Sequence, residues 1–339
     1  GALRGWGVCG LGAVGAVAAD ALAAGPGGLG GSRLTRYSTH IGNGSQALQA
    51  ARPTAVDPVN AMAAVRRSMS DETTVGEQQA LALAAAEEFA NEDVHHCREI
   101  GRIGAKLIRN GQRILTHCNA GWLAFVDVGT ATAPLYAAQA AGKKFHVFCD
   151  ETRPRSQGAT LTAWELAQQG VSHQIIADNA AGHLMQRGEV DLVIVGSDRT
   201  IGRTGEVANK IGTYTKAVLA HRHGIPFYVA IPLSTFDWRM TSGFDIPIEE
   251  RHESEVLGAW GVVETRSAER GTRNSKAESR KPKRVYVRVA NPSSGARNPG
   301  FDVTPPELIT GIITPVGIVK PRQLWANRHR LGFARLGSS

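Results

Sequence analysis

From Arg113 onwards, short apolar runs alternate with amphipathic stretches, and this pattern predicts strands separated by helices. The apolar runs are RILTH (Arg113–His117), KFHVFC (Lys144–Cys149), SHQIIA (Ser172–Ala177), VDLVIVG (Val190–Gly196) and IPFYVAI (Ile225–Ile231). Helices are predicted near Pro134–Gly142, over LTAWELAQQ, around Gly182–Arg187 and over EVANKIGTYTKAVLAHRH, starting near Glu206. Strands that are apolar throughout, rather than at alternate positions, are buried on both faces, as in a parallel sheet covered by helices. Upstream the period changes. Asp57–Met69, Asp71–Ala90 and Glu92–Arg109 carry Ala/Leu/Ile faces at helical spacing, with capping residues in the SDETT string before the second. The fold class read from this pattern is α/β: a mostly helical N-terminal domain over residues 1–110, then a Rossmann-like parallel-sheet domain over 111–330. Residues 264–284 are polar, charged and aperiodic, and read as a mobile basic insertion.

In open parallel sheets, functional groups collect beyond the carboxyl ends of the strands. The residues placed there are Cys118 and Asn119, Asp150–Gln157, Asp178, Asp198 and Arg199, and Pro232–Asp237. Spacing alone leaves Cys118 either a buried core thiol or a reactive one. Asp198 either caps a turn or is a desolvated carboxyl that holds a proton and acts as a general acid. Asn209 and Lys210 fall in the first turns of the helix predicted from Glu206, where free N–H groups and an ammonium form an anion site. The 151–158 loop offers Arg153, Arg155 and Gln157 for phosphate or hydroxyl contacts, and Arg52 adds a cation at a helix entry. Ile194, Val195, Ala120 and Trp122 are candidates for apolar pocket walls.

Composition narrows the choices. Hydrophobic residues make up 42% of the 339 and charged residues 20%, a globular balance. The formal charge is +8, but residues 264–284 hold eight Lys/Arg against three Glu, a net +5 that leaves +3 elsewhere. The basic excess is therefore local and only weak evidence for nucleic-acid binding, and no nucleic-acid partner is expected. Cys9, Cys97, Cys118 and Cys149 form no CxxC pair, which fits a reducing cytoplasm better than a disulfide framework. No apolar run is long enough for a membrane span. Gly10, Gly12 and Gly15 satisfy GxGxxG, but only nine residues precede the motif and no strand leads into it. His95, His96 and Cys97 are adjacent, so on a helix they diverge rather than converge on a metal.

The strings ARPTAVDPVNAM, ILTHCNAGWLA, DETRPRSQGATLTAWEL, VDLVIVGSDRTIGRTGEVANKIGTY, HGIPFYVAIPLSTFDW, IPIEER and NPGFDVTPPELITGIIT occur in this order. Together they resemble the methylthioribose-1-phosphate isomerase family, which shares a superfamily with the regulatory subunits of translation initiation factor 2B. The resemblance runs from about Arg52 to Gly317, apart from the basic insertion. It implies catalytic roles for Cys118 and Asp198, and substrate contacts from Arg52, Gln157, Asn209 and Lys210. The family's Arg-Gly-Ala-Pro phosphate loop corresponds here to Arg4-Gly5-Trp6-Gly7, which keeps Arg4 and Gly5 and departs at the next two positions. Family members normally carry a longer segment before this loop.

The implied reaction is the aldose–ketose isomerisation of 5-methylthioribose 1-phosphate in methionine salvage. Phosphate on the anomeric carbon blocks a free aldehyde until the ring opens, which calls for a general acid, here Asp198. Hydrogen then moves from C2 to C1, as a proton or as a hydride, beside Cys118. The resemblance implies no metal and no cofactor, a cytoplasmic location and a homodimer, with a small phosphorylated sugar as substrate. Two alternatives stand beside it. One is an isomerase of another phosphorylated pentose, ribose 1,5-bisphosphate. The other is a non-catalytic subunit like those of initiation factor 2B.

Overall fold

A computed structural model describes residues 42–47, 49–69, 74–263 and 284–336. Arg4, Gly5, Cys9, the GxGxxG string and most of the basic insertion lie outside the described residues.

The helical region contains α1 (Asp57–Ser68) and α2 (Val75–Gly104). A capping box starts α2: the Thr74 hydroxyl accepts from the Glu77 amide at 3.3 Å, and the Glu77 carboxylate accepts from the Thr74 amide at 2.8 Å. Sequence periodicity predicts two helices here, whereas α2 is one helix of 30 residues. No Gly or Pro interrupts the segment around Asn91, and the buried positions Ala82, Ala86, Cys97 and Ile100 carry through it.

The strands in chain order are β1 (Arg113–Thr116), β2 (His146–Asp150), β3 (His173–Ile176), β4 (Leu192–Val195), β5 (Arg199–Ile201), β6 (Val207–Lys210) and β7 (Phe227–Ala230). They continue with β8 (Phe236–Asp237), β9 (Gly258–Val262), β10 (Arg284–Arg288), β11 (Phe301–Thr304), β12 (Gly311–Thr314) and β13 (Gly317–Val319). Between them run α3 (Ala133–Ala140), α4 (Ala163–Gln168), α5 (Ala180–Gln186) and α6 (Thr213–Arg222). The main sheet has seven strands in the order β13-β12-β7-β4-β1-β2-β3, parallel except for the β12–β13 pair. Strand residues alternate between two cores. Leu115, Val193, Val195 and Val229 pack with Ala217 and Ala220 of α6, while Ile114, Leu192 and Ile194 pack with Leu135 of α3, Leu166 of α4 and Ile100 of α2. Both faces of the central strands are therefore covered, as their unbroken apolar runs require, whereas the edge strand β3 leaves Ile175 half exposed. The long helix shares the second core because Gly101 and Gly104 let it approach α3: a Cβ on Gly104 would stand 2.5 Å from Pro134 Cγ.

One predicted helix is half strand. Val207–Lys210 forms β6 in a second sheet ordered β11-β6-β5-β8, and α6 begins only at Thr213. All four β6 residues are buried between two antiparallel partners. Gly212, with φ at 101°, turns the chain before the helix starts. Asn209 and Lys210 thus do not sit in a helical first turn. The basic stretch joins β9 to β10, which pair antiparallel as a hairpin.

Candidate active site

The main sheet reverses its winding between β1 and β4. The chain steps from β1 through β2 to β3 on one side and from β4 through β7 to β12 on the other. Such a switch point opens a crevice beyond the carboxyl ends of the two central strands. Cys118 lies two residues past β1 and Asp198 three past β4, and β1 pairs directly with β4. The two turns touch: a Cβ on Gly196 would stand 2.6 Å from the Ala120 Cβ. The thiol residue is 6% exposed and the carboxyl residue 8%.

Cys118 adopts a left-handed backbone, φ 66°, unusual for a residue with a Cβ. Its surroundings hold it there. The Cys118 amide donates to Thr152 Oγ1 at 2.8 Å, and its carbonyl accepts from Thr162 Oγ1 at 2.7 Å. Thr152 is left-handed too, at φ 63°, and Asp178 fixes it by accepting from the Thr152 and Arg153 amides at 2.8 and 2.7 Å. On the other side, the buried Glu165 carboxylate accepts from Asn119 Nδ2 at 2.9 Å, the Trp122 and Leu123 amides at 3.0 Å, and the Tyr136 hydroxyl at 2.8 Å. Burial raises the Glu165 pKa, and these donors pull it back. The turn after the cysteine is thus wrapped around a buried carboxyl group held by four donors.

Asp198 makes a 2.8 Å ion pair with Arg52, and both side chains are about nine-tenths buried. The partnership is built by the backbone as well. The Val56 amide donates to the Asp198 carbonyl at 3.1 Å, and Arg199 donates to the carbonyls of Thr54 and Pro53, both at 2.9 Å. Arg199 is itself paired with Asp237 at 2.9 Å. The Arg52–Val56 loop is therefore strapped to the end of β4. An adjacent guanidinium favours the carboxylate. The structure thus buries the Asp198 carboxyl, as the sequence predicts, and sets a guanidinium beside it.

Gln157, Asn209 and Lys210 are buried. Asn209 donates to Thr213 Oγ1 at 2.9 Å, and the Lys210 ammonium stands 4.4 Å over the Phe301 ring. Of the expected pocket walls, Ile194 and Val195 belong instead to the cores on the two sheet faces. Trp122 stacks with Trp164 at 5.5 Å. His96 and Cys97 are buried side by side on α2 while His95 is exposed, so the three do not converge.

A second buried cluster joins Asp150 and Asp178, both expected at the strand ends, to His117 and Lys216, which sequence reasoning missed. His117 Nδ1 lies 2.8 Å from Asp150 Oδ2 and 4.0 Å from Asp178 Oδ1, and the Lys216 ammonium lies 3.1 Å from the same Asp150 oxygen. His117, Asp150 and Asp178 are the one group among the described residues with cation-ligand spacing. The Lys216 ammonium already supplies the positive charge at Asp150. Glu165 and Lys216 read in the sequence as ordinary helix positions. Their only signal was a charge on the sheet-facing side of a short helix.

Comparison with known proteins gives the family. The chain matches the Initiation factor 2 subunit family over residues 13–321. It is 50% identical over 281 residues to a methylthioribose-1-phosphate isomerase of Cereibacter sphaeroides, covering 80% of this chain and 72% of that protein. It is 49% identical over 284 residues to that of Rhizobium meliloti, covering 81% and 73%. This chain belongs to the methylthioribose-1-phosphate isomerase family. Among solved structures, the 5-methylthioribose 1-phosphate isomerase from Pyrococcus horikoshii superposes with a TM-score of 0.76 at 36% identity, covering 98% of this chain and 86% of that one. The delta subunit of translation initiation factor eIF-2B from A. fulgidus superposes at 0.70, also at 36% identity, covering 95% and 86%. The fold is thus common to enzyme and initiation-factor subunits.

Proposed function

We propose that this chain converts 5-methylthioribose 1-phosphate to 5-methylthioribulose 1-phosphate, with Cys118 and Asp198 as its catalytic groups. What supports the reading is that the turns carrying those two residues follow paired strands β1 and β4 and touch at Ala120 and Gly196, in a chain about half identical to relatives named for this isomerisation.

The chemistry follows from the substrate. Ring opening breaks the bond between C1 and the ring oxygen, and Asp198 donates the proton that the departing oxygen needs. Hydrogen then passes from C2 to C1 beside Cys118. As the C2 ketone forms, the C2 hydroxyl gives its proton back to Asp198, so the carboxyl ends the cycle as it began. This requires a protonated Asp198, and Arg52 provides the control. A dianionic phosphate competes for the guanidinium more strongly than one carboxylate does. Substrate binding therefore turns Arg52 towards the phosphate and leaves a desolvated carboxyl that holds a proton. Gln157, Asn209 and Lys210 complete the sugar and phosphate contacts, and Arg4 and Gly5 are assigned to the phosphate loop. Neither proton step draws on a metal or a redox cofactor. We assign the enzyme to the cytoplasm, where thiols stay reduced, and to a homodimer that sedimentation will report as twice the chain mass.

The direct test is to incubate the purified protein with methylthioribose 1-phosphate and follow the sugar carbons by NMR. The ketose signal is expected to grow at the expense of the aldose phosphate. A folded protein that leaves the substrate unchanged overturns the proposal.

A further inference from the structure

His117 precedes Cys118 and is 1% exposed. Nothing in the isomerisation described above uses it, yet both of its ring nitrogens are engaged. Nε2 lies 2.8 Å from the Ile211 carbonyl oxygen, and a carbonyl only accepts, so Nε2 carries a hydrogen. Nδ1 lies 2.8 Å from Asp150 Oδ2. Whether Nδ1 donates or accepts depends on Asp150, and its surroundings answer. Oδ2 also faces the Lys216 ammonium at 3.1 Å, which repels a hydroxyl hydrogen at that oxygen. Asp150 is therefore an ionised acceptor, and Nδ1 donates to it.

The charges around the ring agree. Asp150 and Asp178 face it from the ends of β2 and β3, and Lys216 faces it from α6. Asp302, next to β6, accepts from the Gly212 and Tyr214 amides at 2.6 and 3.0 Å, and burial raises its pKa. Three carboxyl groups and one ammonium thus stand around the ring, so the acidic side chains outnumber the basic one.

We propose that His117 is a fixed imidazolium strut, a positioning residue that ties the Cys118 turn to the segment carrying Asn209 and Lys210. It spans β2 on one side and the Ile211–Gly212 turn on the other, where a Cβ on Gly212 would stand 3.0 Å from His117 Cε1. Because it donates from both nitrogens, it is neither a base nor a cation ligand. The positioning role rests on the catalytic and substrate-contact assignments given under the proposed function, whereas the charge state does not.

Two measurements test it. In the full chain labelled with 15N-histidine, and with His117 assigned through its backbone link to Cys118, both ring nitrogens are expected to show the protonated signature at neutral pH. A single neutral tautomer overturns the strut. For the role, His117→Asn keeps a donor towards Asp150 but loses the Ile211 bond. Its KM for methylthioribose 1-phosphate is expected to rise about tenfold with kcat nearly unchanged, the scale of one charge-assisted hydrogen bond. His117→Gln, with its longer reach to Ile211, is expected to restore KM towards wild type. An unchanged KM in folded His117→Asn overturns the positioning role. Should that variant not fold, the labelled wild-type protein still decides the double donation without which the strut, and its role, cannot stand. If the wild-type protein does not turn the substrate over, the proposed function fails while the NMR result stands on its own.

Discussion

Cys118 shows how much of this site is decided residue by residue. A thiol at φ 66° persists because Thr152, Thr162 and, through Asn119, Glu165 hold the turn from three directions. Replacing Cys118 by Ala, or Asp198 by Asn, is expected to lower turnover by about 10²-fold or more, the usual scale for a lost acid or base, with the circular dichroism spectrum unchanged. Near-normal rates in either folded variant would contradict the assignment. A different pair of residues sets the pH dependence of stability. Burial pushes Asp57 up from 3.8 to about 6, against the opposing pull of the nearby Ser234 and the Arg52 charge. Burial and the Asp57 charge push Asp93 up from 3.8 to about 7. Both carboxyls bind protons more tightly in the folded chain than in the unfolded one. Their contribution is therefore complete below the unfolded value and is lost as the pH rises through about 6 and 7. Asp57→Asn and Asp93→Asn should each remove part of that loss. Denaturant titrations at about pH 5 and pH 8 should then differ less than in wild type, by roughly 1–2 kcal/mol. Identical slopes in variant and wild type would rule this out.

At the scale of elements, the long helix and the short strand β6 make the same point from opposite sides. Helix α2 is continuous because nothing local stops it, and its start is legible in SDETT, where Thr74 and Glu77 form the capping box. Thr74→Ala should cost about 1 kcal/mol, read as a lower melting temperature with activity kept. At the other end of α2, Gly104→Ala places a methyl against Pro134, and a loss of about 1–3 kcal/mol from overpacking is expected. An unchanged melting temperature would mean that α2 and α3 move apart freely. The segment VANK has no strong local preference, and its fate is set by pairing. Between β5 and β11 all four residues are buried and extended, so a helical reading from Glu206 fails where antiparallel partners are available.

Across the whole molecule, the helical region is bound to the sheet by charge as well as by packing. Arg199 joins Asp237, Thr54 and Pro53, and so fixes where Arg52 meets Asp198. Lysine cannot reproduce that planar set of donors. Arg199→Lys is accordingly expected to raise KM about tenfold while the protein stays folded, as steady-state kinetics would show. A KM equal to wild type would mean that the Arg52 loop holds its place without the strap. Much of this architecture was visible beforehand. Uniformly apolar runs require a sheet buried on both faces, and that burial forces a parallel, helix-covered arrangement whose strand ends carry Cys118, Asp150, Asp178 and Asp198. Local periodicity and composition settle those matters because each depends on a few neighbouring residues. Contacts between distant segments do not announce themselves in that way. The Arg52–Asp198 pair spans 146 positions and the His117–Asp150 contact 33. Only the folded order of the strands, with β1 beside β4, decides which of these side chains become neighbours.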